Sequence, residues 1–343
     1  MPLNKIFTVR SSPHIAAGVS VEIIMRNVVL ALLPSVVFSI YLYGVAALII
    51  LATACLSCVA TEHVLCRINQ QDTSIGDWSA TITGLIFGLT LPPGLPLWMV
   101  LVGGIIAIAM GKYLFGGLGC NPFNPALVAR AFLQAAFPVA MTTWSPILSA
   151  DRFSHIPASL FTLPLMTPVY DTTSAATPLA AFKFDAHGSS VYDLMLGLTT
   201  GSLGESCSLT LLAGGLYLIA RNMMNWRIPV GVFLSVIIFG SIFHALDAHI
   251  YPSPWFSLFA GGLMLGALFM ATDMVASPLT GGGCFIYGMF IGVLVLVIRY
   301  WAGMAEGVMY AILIANALSP HIDKLLRPRV YGNNAHNASH KQA

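Results

Sequence analysis

The chain has 343 residues, 57% of them apolar or aromatic and only 8% charged, with a mean hydropathy of +0.83. A soluble domain carries roughly a quarter charged residues and a disordered chain is poor in apolar ones, so both classes are excluded. Fifteen Lys and Arg against 13 Asp and Glu give a net charge of +2, too balanced for a nucleic-acid partner, and the composition is that of an all-α polytopic membrane protein whose partner is lipid.

Residues 1–22 form a cytoplasmic N-terminal segment without the compact apolar core and small-residue cleavage site of a signal peptide, so retention of the first span is expected. From Val28 to Thr61 no residue is charged. As one helix this run would measure about 51 Å, against about 30 Å for a bilayer core, so it must turn back, near Tyr43 and Gly44, and give two spans. Ser79 to Gly111 repeats the argument, broken at Pro92-Pro93-Gly94-Leu95-Pro96, where no helix can continue. Ala126 to Met141 reads as a shorter fifth span interrupted by Arg130. After the long stretch Asp151 to Glu205 come five further runs: Ser206–Ala220, Ile228–Leu246, Phe256–Thr272, Gly283–Ile298 and Gly307–Ile322.

About ten transmembrane helices are therefore expected. Lys and Arg concentrate in the N-terminal segment, at Arg221 and Arg227, and in the tail at Lys324, Arg327, Arg329 and Lys341. An even number of spans puts all three on the cytoplasmic side and 151–205 outside. A shift of 186 residues superimposes Phe115-Gly116-Gly117 on Trp301-Ala302-Gly303 and Pro92 on Pro278. Two five-helix repeats, 23–150 and 206–322, are expected on either side of the insertion 151–205, with 323–343 as the tail. Five is odd, so the repeats are inverted, and such folds place their sites at helix breaks near the repeat interface.

Few residues carry chemistry. Asp171-Thr172-Thr173-Ser174-Ala175-Ala176-Thr177-Pro178 lies in the outer segment. Thr177 reads either as the N-cap of a helix beginning at Pro178, or as a hydroxyl acceptor left accessible by two small alanines and held extended by the following proline. Asp273 ends the eighth run beside Pro278 and Thr280-Gly281-Gly282-Gly283. It is either an interfacial helix-end residue or part of an ion pathway, since a carboxylate at a membrane helix break needs water, an ion or a donor. Arg130 faces the bundle interior or snorkels. Cys55 and Cys58 read as small helix residues, and His244 and His249 are spaced wrongly for a metal site, so neither a metal nor a catalytic residue is assigned.

The order Asp, two residues, Ser or Thr, a small residue, Ala, Thr resembles the target motif of bacterial flavin transferases, matched at Asp171, Ser174, Ala176 and Thr177. Ser12-Pro13-His14, Gly119-Cys120-Asn121-Pro122-Phe123-Asn124-Pro125-Ala126 and Phe269-Met270-Ala271-Thr272-Asp273-Met274-Val275-Ala276-Ser277-Pro278 resemble RnfD, the D subunits of Rnf-type ion-translocating electron transport complexes. The B subunits of sodium-translocating NADH:quinone reductases are a related family. The resemblance implies a flavoprotein of the bacterial inner membrane with FMN joined through its phosphate to Thr177. It also implies transfer of electrons between ferredoxin and NAD coupled to movement of Na+ or H+. Partners resembling RnfA, RnfB, RnfC, RnfE and RnfG and a flavin transferase follow from it, as does Arg130 as a counter-charge to the flavin. By analogy, the unwound Asn121 to Pro125 could line a site for a second, noncovalent flavin (riboflavin). The competing class is a stand-alone channel or secondary transporter for a small solute such as urea or ammonium, which has no reason to carry the flavinylation motif.

Overall fold

The computed structural model describes residues 20–70, 74–164, 166, 176–185, 188–206 and 208–327. Helix α1 (Val21–Tyr43) starts where the Ser20 hydroxyl accepts the Ile23 amide at 3.3 Å and stops at Gly44, whose φ of +67° breaks the run at the expected place. A side chain at Gly44 would also collide with the Arg152 carbonyl, 1.9 Å from an ideal Cβ, and that carbonyl accepts the Val45 amide at 3.0 Å. The first turn is thus clamped by the outer segment. Helix α2 (Val45–Ile68) returns, and α3 (Ser79–Leu89) and α4 (Leu97–Ala109) flank the proline-rich break. Asn124 caps α5 (Pro125–Ala136), its Oδ1 accepting the Ala126 amide at 3.0 Å with Pro125 at the first helical position, and α6 (Pro138–Thr142) follows.

The outer segment carries α7 (Pro178–Asp185) and α8 (Val191–Leu196). The second half comprises α9 (Ser208–Ala220), α10 (Arg227–Leu246), α11 (Pro254–Phe259), α12 (Leu263–Leu265), α13 (Gly281–Trp301) and α14 (Val308–Leu325). A single π-helical turn, Gly266–Met270, continues α12 directly.

All ten apolar runs carry helix. Five stretches, 21–43, 45–68, 97–115, 227–246 and 281–301, are long and apolar enough to cross a bilayer. Helices α3 and α9 are apolar but only 11 and 13 residues long, and the eighth run is split into α11, α12 and the π turn, because Gly261 adopts φ +69° between them. The fold is all-helical among the described residues, as a polytopic membrane protein requires.

Adding 186 to the helices of the first half reproduces the second. The range of α4 maps onto 283–295, inside α13, that of α5 onto 311–322, inside α14, and that of α3 onto 265–275, which starts at the last residue of α12 and takes in the π turn. Packing repeats too: α2 lies against α4 as α10 lies against α13. In both pairs a glycine lets a serine of the partner helix approach, an ideal Cβ at Gly104 falling 1.9 Å from Ser57 Oγ and one at Gly292 falling 1.9 Å from Ser235 Oγ. The corresponding helices α1 and α9, and α5 and α14, meet each other across the join.

Candidate functional site

Thr177 caps α7. Its Oγ accepts the Ala180 amide at 3.3 Å and its carbonyl accepts the Ala181 amide at 2.8 Å, while the Thr200 hydroxyl donates to the Ala176 carbonyl at 2.7 Å. The N-cap reading of Thr177 is thus the one the hydrogen bonds bear out, and a capping hydroxyl accepts a bond while keeping its own proton. The residue is not in the open extended stretch that Pro178 suggests, being only 5% exposed. Burial arises because α7 is docked. Leu179 packs with Leu194, Phe256 and Ala260 in a small separate core. Lys183 Nζ donates to the carbonyls of Arg299 at 2.7 Å, Met304 at 3.1 Å and Ala302, closing the C-terminal end of α13. Asp171 and Ser174 lie outside the described residues, as do Ser12, Pro13 and His14.

Thr177 and Ala176 open on a cavity of about 420 Å³ whose walls include Arg130, Glu306, Trp144 and Tyr310. This is where the fifth-span arginine goes. Arg130 is buried and donates through Nη2 to Glu306 Oε2 at 2.6 Å, and the Gly262 amide donates to Glu306 Oε1 at 3.1 Å. Glu205 comes in beside it, an ideal Cβ at Gly262 falling 3.7 Å from Glu205 Oε1 and 4.0 Å from Glu306 Oε1, and the Ser202 hydroxyl donates to Glu205 Oε1 at 2.8 Å. Burial, then the Glu306 charge, pushes the Glu205 carboxyl well above the usual carboxylate range. Burial alone would raise Glu306 as well, but Arg130, the protonated Glu205 carboxyl beside it and Arg299 outweigh it and hold that carboxyl below the usual range.

The donor set suits a flavin mononucleotide. The volume lies within the roughly 300–1,000 Å³ of ligand pockets, and the walls are largely apolar with aromatic rings and one buried cation. A phosphate on Thr177 would sit at the N-terminus of α7, where the helix dipole favours negative charge.

Asp273 lies at the opposite end of the bundle, just beyond the π turn. Its Oδ1 accepts the Val275 amide at 3.0 Å and its Oδ2 accepts Asn121 Nδ2 at 3.3 Å, so the unwound Asn121 to Pro125 and the carboxylate meet in one place. They line an inner cavity of about 120 Å³ together with Asn124, Thr272 and Lys112. That volume is below the roughly 300 Å³ from which ligand pockets begin, so the inner cavity as it stands does not enclose a three-ring flavin. The wall between the cavities is thin: Asn124 Nδ2 donates to the Met270 carbonyl at 3.2 Å, Met270 lining the outer cavity and Asn124 the inner.

Sequence reasoning missed the partners. Glu306 is the lone carboxylate between Asp273 and Asp323, which could have marked it as the counter-ion of a buried arginine. Glu62 and Lys112 also pair, at 2.7 and 2.9 Å, with Lys112 donating to Ser79 Oγ at 2.6 Å.

Residues 8–332 match the NQR2, RnfD, RnfE family. The chain belongs to this family. Among its relatives, the D subunit of the proton-translocating ferredoxin:NAD(+) oxidoreductase complex of Clostridium ljungdahlii is 39% identical over 96% of this chain and 97% of its own length. The D subunit of the Na(+)-translocating complex of Acetobacterium woodii is 40% identical over 95% of each chain, and that of the ion-translocating oxidoreductase complex of Stutzerimonas stutzeri is 40% identical over 92% and 93%. The resemblance to RnfD read from the motifs thus extends over nearly the whole chain.

Proposed function

We propose that this chain is the membrane flavoprotein subunit of an Rnf-type complex, carrying FMN as a phosphoester on Thr177. In that complex electron transfer between ferredoxin and NAD drives Na+ or H+ across the membrane. The coarser statement, a subunit of an ion-translocating oxidoreductase, agrees with what its relatives are named for. The observation that carries the finer one is the Thr177 hydroxyl, which caps a helix at the mouth of a 420 Å³ cavity containing a buried arginine.

When bound, the flavin supplies one- and two-electron redox chemistry that no side chain here offers. The protein's part is to hold and shield it. Arg130 and the α7 N-terminus neutralise phosphate charge, the aromatic and aliphatic walls exclude water, and Lys183 clasps α7 against α13. Since Thr177 is buried once α7 docks, a flavin transferase must act on it before docking. Subunits resembling RnfA, RnfB, RnfC, RnfE and RnfG supply the electron donors and acceptors. The proposed setting is the bacterial inner membrane, with 151–205 periplasmic between membrane halves 23–150 and 206–322 and both termini cytoplasmic. Asp273, with Asn121 and Asn124, serves the ion path from the inner side. The reading is tested by in-gel flavin fluorescence of the denatured protein. Thr177→Val should abolish it while the chain still inserts, and retained fluorescence would overturn the assignment.

A further inference from the structure

Behind the Arg130 and Glu306 face of the outer cavity lies a cluster with more charge than those two residues supply. Around the loop Gly261-Gly262 converge Arg130 of α5, Arg299 of α13, Glu306 from the α13 to α14 connection and Glu205 from the end of the outer segment. An ideal Cβ at Gly261 would fall 2.8 Å from Glu306 Oε1 and 3.2 Å from Arg299 Nη2, so only a glycine lets these groups meet here. Arg299 is buried; it donates through Nη1 to the Ser257 carbonyl at 2.5 Å and through Nη2 to the Ala260 carbonyl at 2.8 Å, and its Nε has no hydrogen-bond partner. Tyr43 of α1 faces Glu205 from the fourth side, its hydroxyl donating to the Gly201 carbonyl at 3.0 Å.

Glu205 and Glu306 converge on one spot beside Gly262, where an ideal Cβ would fall 3.7 Å from Glu205 Oε1 and 4.0 Å from Glu306 Oε1, and two buried carboxyl groups brought together in this way are accommodated when one of them keeps its proton. Both oxygens of Glu306 already have a donor, Oε2 from Arg130 and Oε1 from the Gly262 amide, and Glu205 Oε1 receives the Ser202 hydroxyl. With the proton in place, two guanidiniums stand against one negative charge and the cluster is cationic. Without it the cluster is neutral and the two carboxylates repel.

We propose that Glu205 and Glu306 form a one-proton carboxyl–carboxylate site directly behind the Arg130 and Glu306 face of the outer cavity, and that its proton sets whether this buried cluster is cationic or neutral. The step is a simple dissociation: the O–H bond of the shared carboxyl breaks, its electron pair stays on oxygen, and the proton passes to water or to a base in the cavity. A cationic cluster beside the cavity favours an anion in it, and a neutral one does not. The site belongs to the pair and not to either residue, because groups coupled this strongly lose their protons in steps that are properties of both. Its consequence for a flavin rests on the reading of Thr177 given above; the proton site itself does not.

The test is infrared difference spectroscopy of the assembled complex, taken from mildly acid to alkaline pH, on the wild type and on Glu205→Gln, Glu306→Gln and Thr177→Val. Gln at 205 can donate to Glu306 as the protonated carboxyl does, so it preserves the packing while removing the dissociable proton. The wild type should show a protonated carboxyl that ionises as pH rises, and Glu205→Gln should lack that signal. Thr177→Val should keep it, flavin or no flavin. In the flavinylated complex, the flavin midpoint potential should fall with pH less steeply in Glu205→Gln than in the wild type. An unchanged titrating carboxyl in Glu205→Gln, or none in the wild type, would overturn the proton site. Persistent in-gel fluorescence in Thr177→Val would overturn the flavin reading and leave the proton site standing. Glu306→Gln should lose the signal too, and a signal retained there would move the proton elsewhere.

Discussion

Glu205 and Glu306 sit side by side yet are pushed in opposite directions, and the reason is which of them the arginine reaches. Arg130 touches Glu306 at 2.6 Å and leaves Glu205 to bear the burial. Because the folded Glu205 carboxyl is held above its unfolded value, its contribution to stability is full in acid and is lost as pH rises from the ordinary carboxylate range through the raised value. The depressed Glu306 works the other way, losing its contribution as pH falls. Thermal melts of the purified complex should therefore show an alkaline decline that Glu205→Gln flattens; an identical decline in both would contradict the assignment. Asp273→Asn should slow ion uptake by vesicles containing the complex and leave covalent flavin content normal, because the charge is lost while the one amide oxygen still accepts the Val275 amide; the bond from Asn121 Nδ2 goes with the second carboxylate oxygen. Unchanged uptake would return Asp273 to a helix-end role. Sequence alone made Arg130, Asp273 and Thr177 visible because each interrupts an apolar or small-residue pattern. Their partners stayed hidden, since Glu205 and Glu306 lie in polar connections where a carboxylate is unremarked, and Asn121 meets Asp273 only through a contact 152 residues apart in the chain.

Helix boundaries were legible wherever backbone chemistry decides them. Gly44, the proline run 92–96, and Asn124 followed by Pro125 each end or begin a helix where the sequence places it, because glycine, proline and a capping side chain act within a few residues. The eighth run was not legible as broken: Phe256 to Thr272 is uncharged and free of proline, and the break depends on Gly261 yielding space to Glu306 and Arg299, which are distant in sequence. The π turn that follows lies in the wall between the two cavities, as π turns at functional sites do. Between α2 and α4, the Glu62–Lys112 pair is almost fully enclosed, with side chains 2% and 5% exposed. Lys112→Met should destabilise the fold by about 3–5 kcal/mol, because Glu62 is left charged and unpaired. The double variant Lys112→Met with Glu62→Gln should recover much of that loss in a denaturation series, and a double variant no more stable than the single one would show that the pair acts through something other than charge.

At the scale of the molecule, the 186-residue periodicity goes with two broken or unwound segments, each bordering a cavity. Each half contributes a broken or unwound segment, the second-half π turn and the first-half Asn121 to Pro125, and these cross at the join where α5 meets α14. An inverted pair of five-span halves would put the Thr177 cavity outside and the Asp273 cavity inside. In an otherwise cysteine-free chain, Ser189→Cys should react with an impermeant label from outside the cell and Asn334→Cys only after the membrane is opened; the reverse pattern would contradict this topology. The central claim, that this family member carries its flavin on Thr177, is tested most directly by peptide mass spectrometry of the denatured protein alongside in-gel fluorescence. The account predicts FMN mass on the peptide at Thr177, and neither mass nor fluorescence in Thr177→Val. Flavin found on Thr172, Thr173 or Ser174, or fluorescence surviving in Thr177→Val, would contradict it.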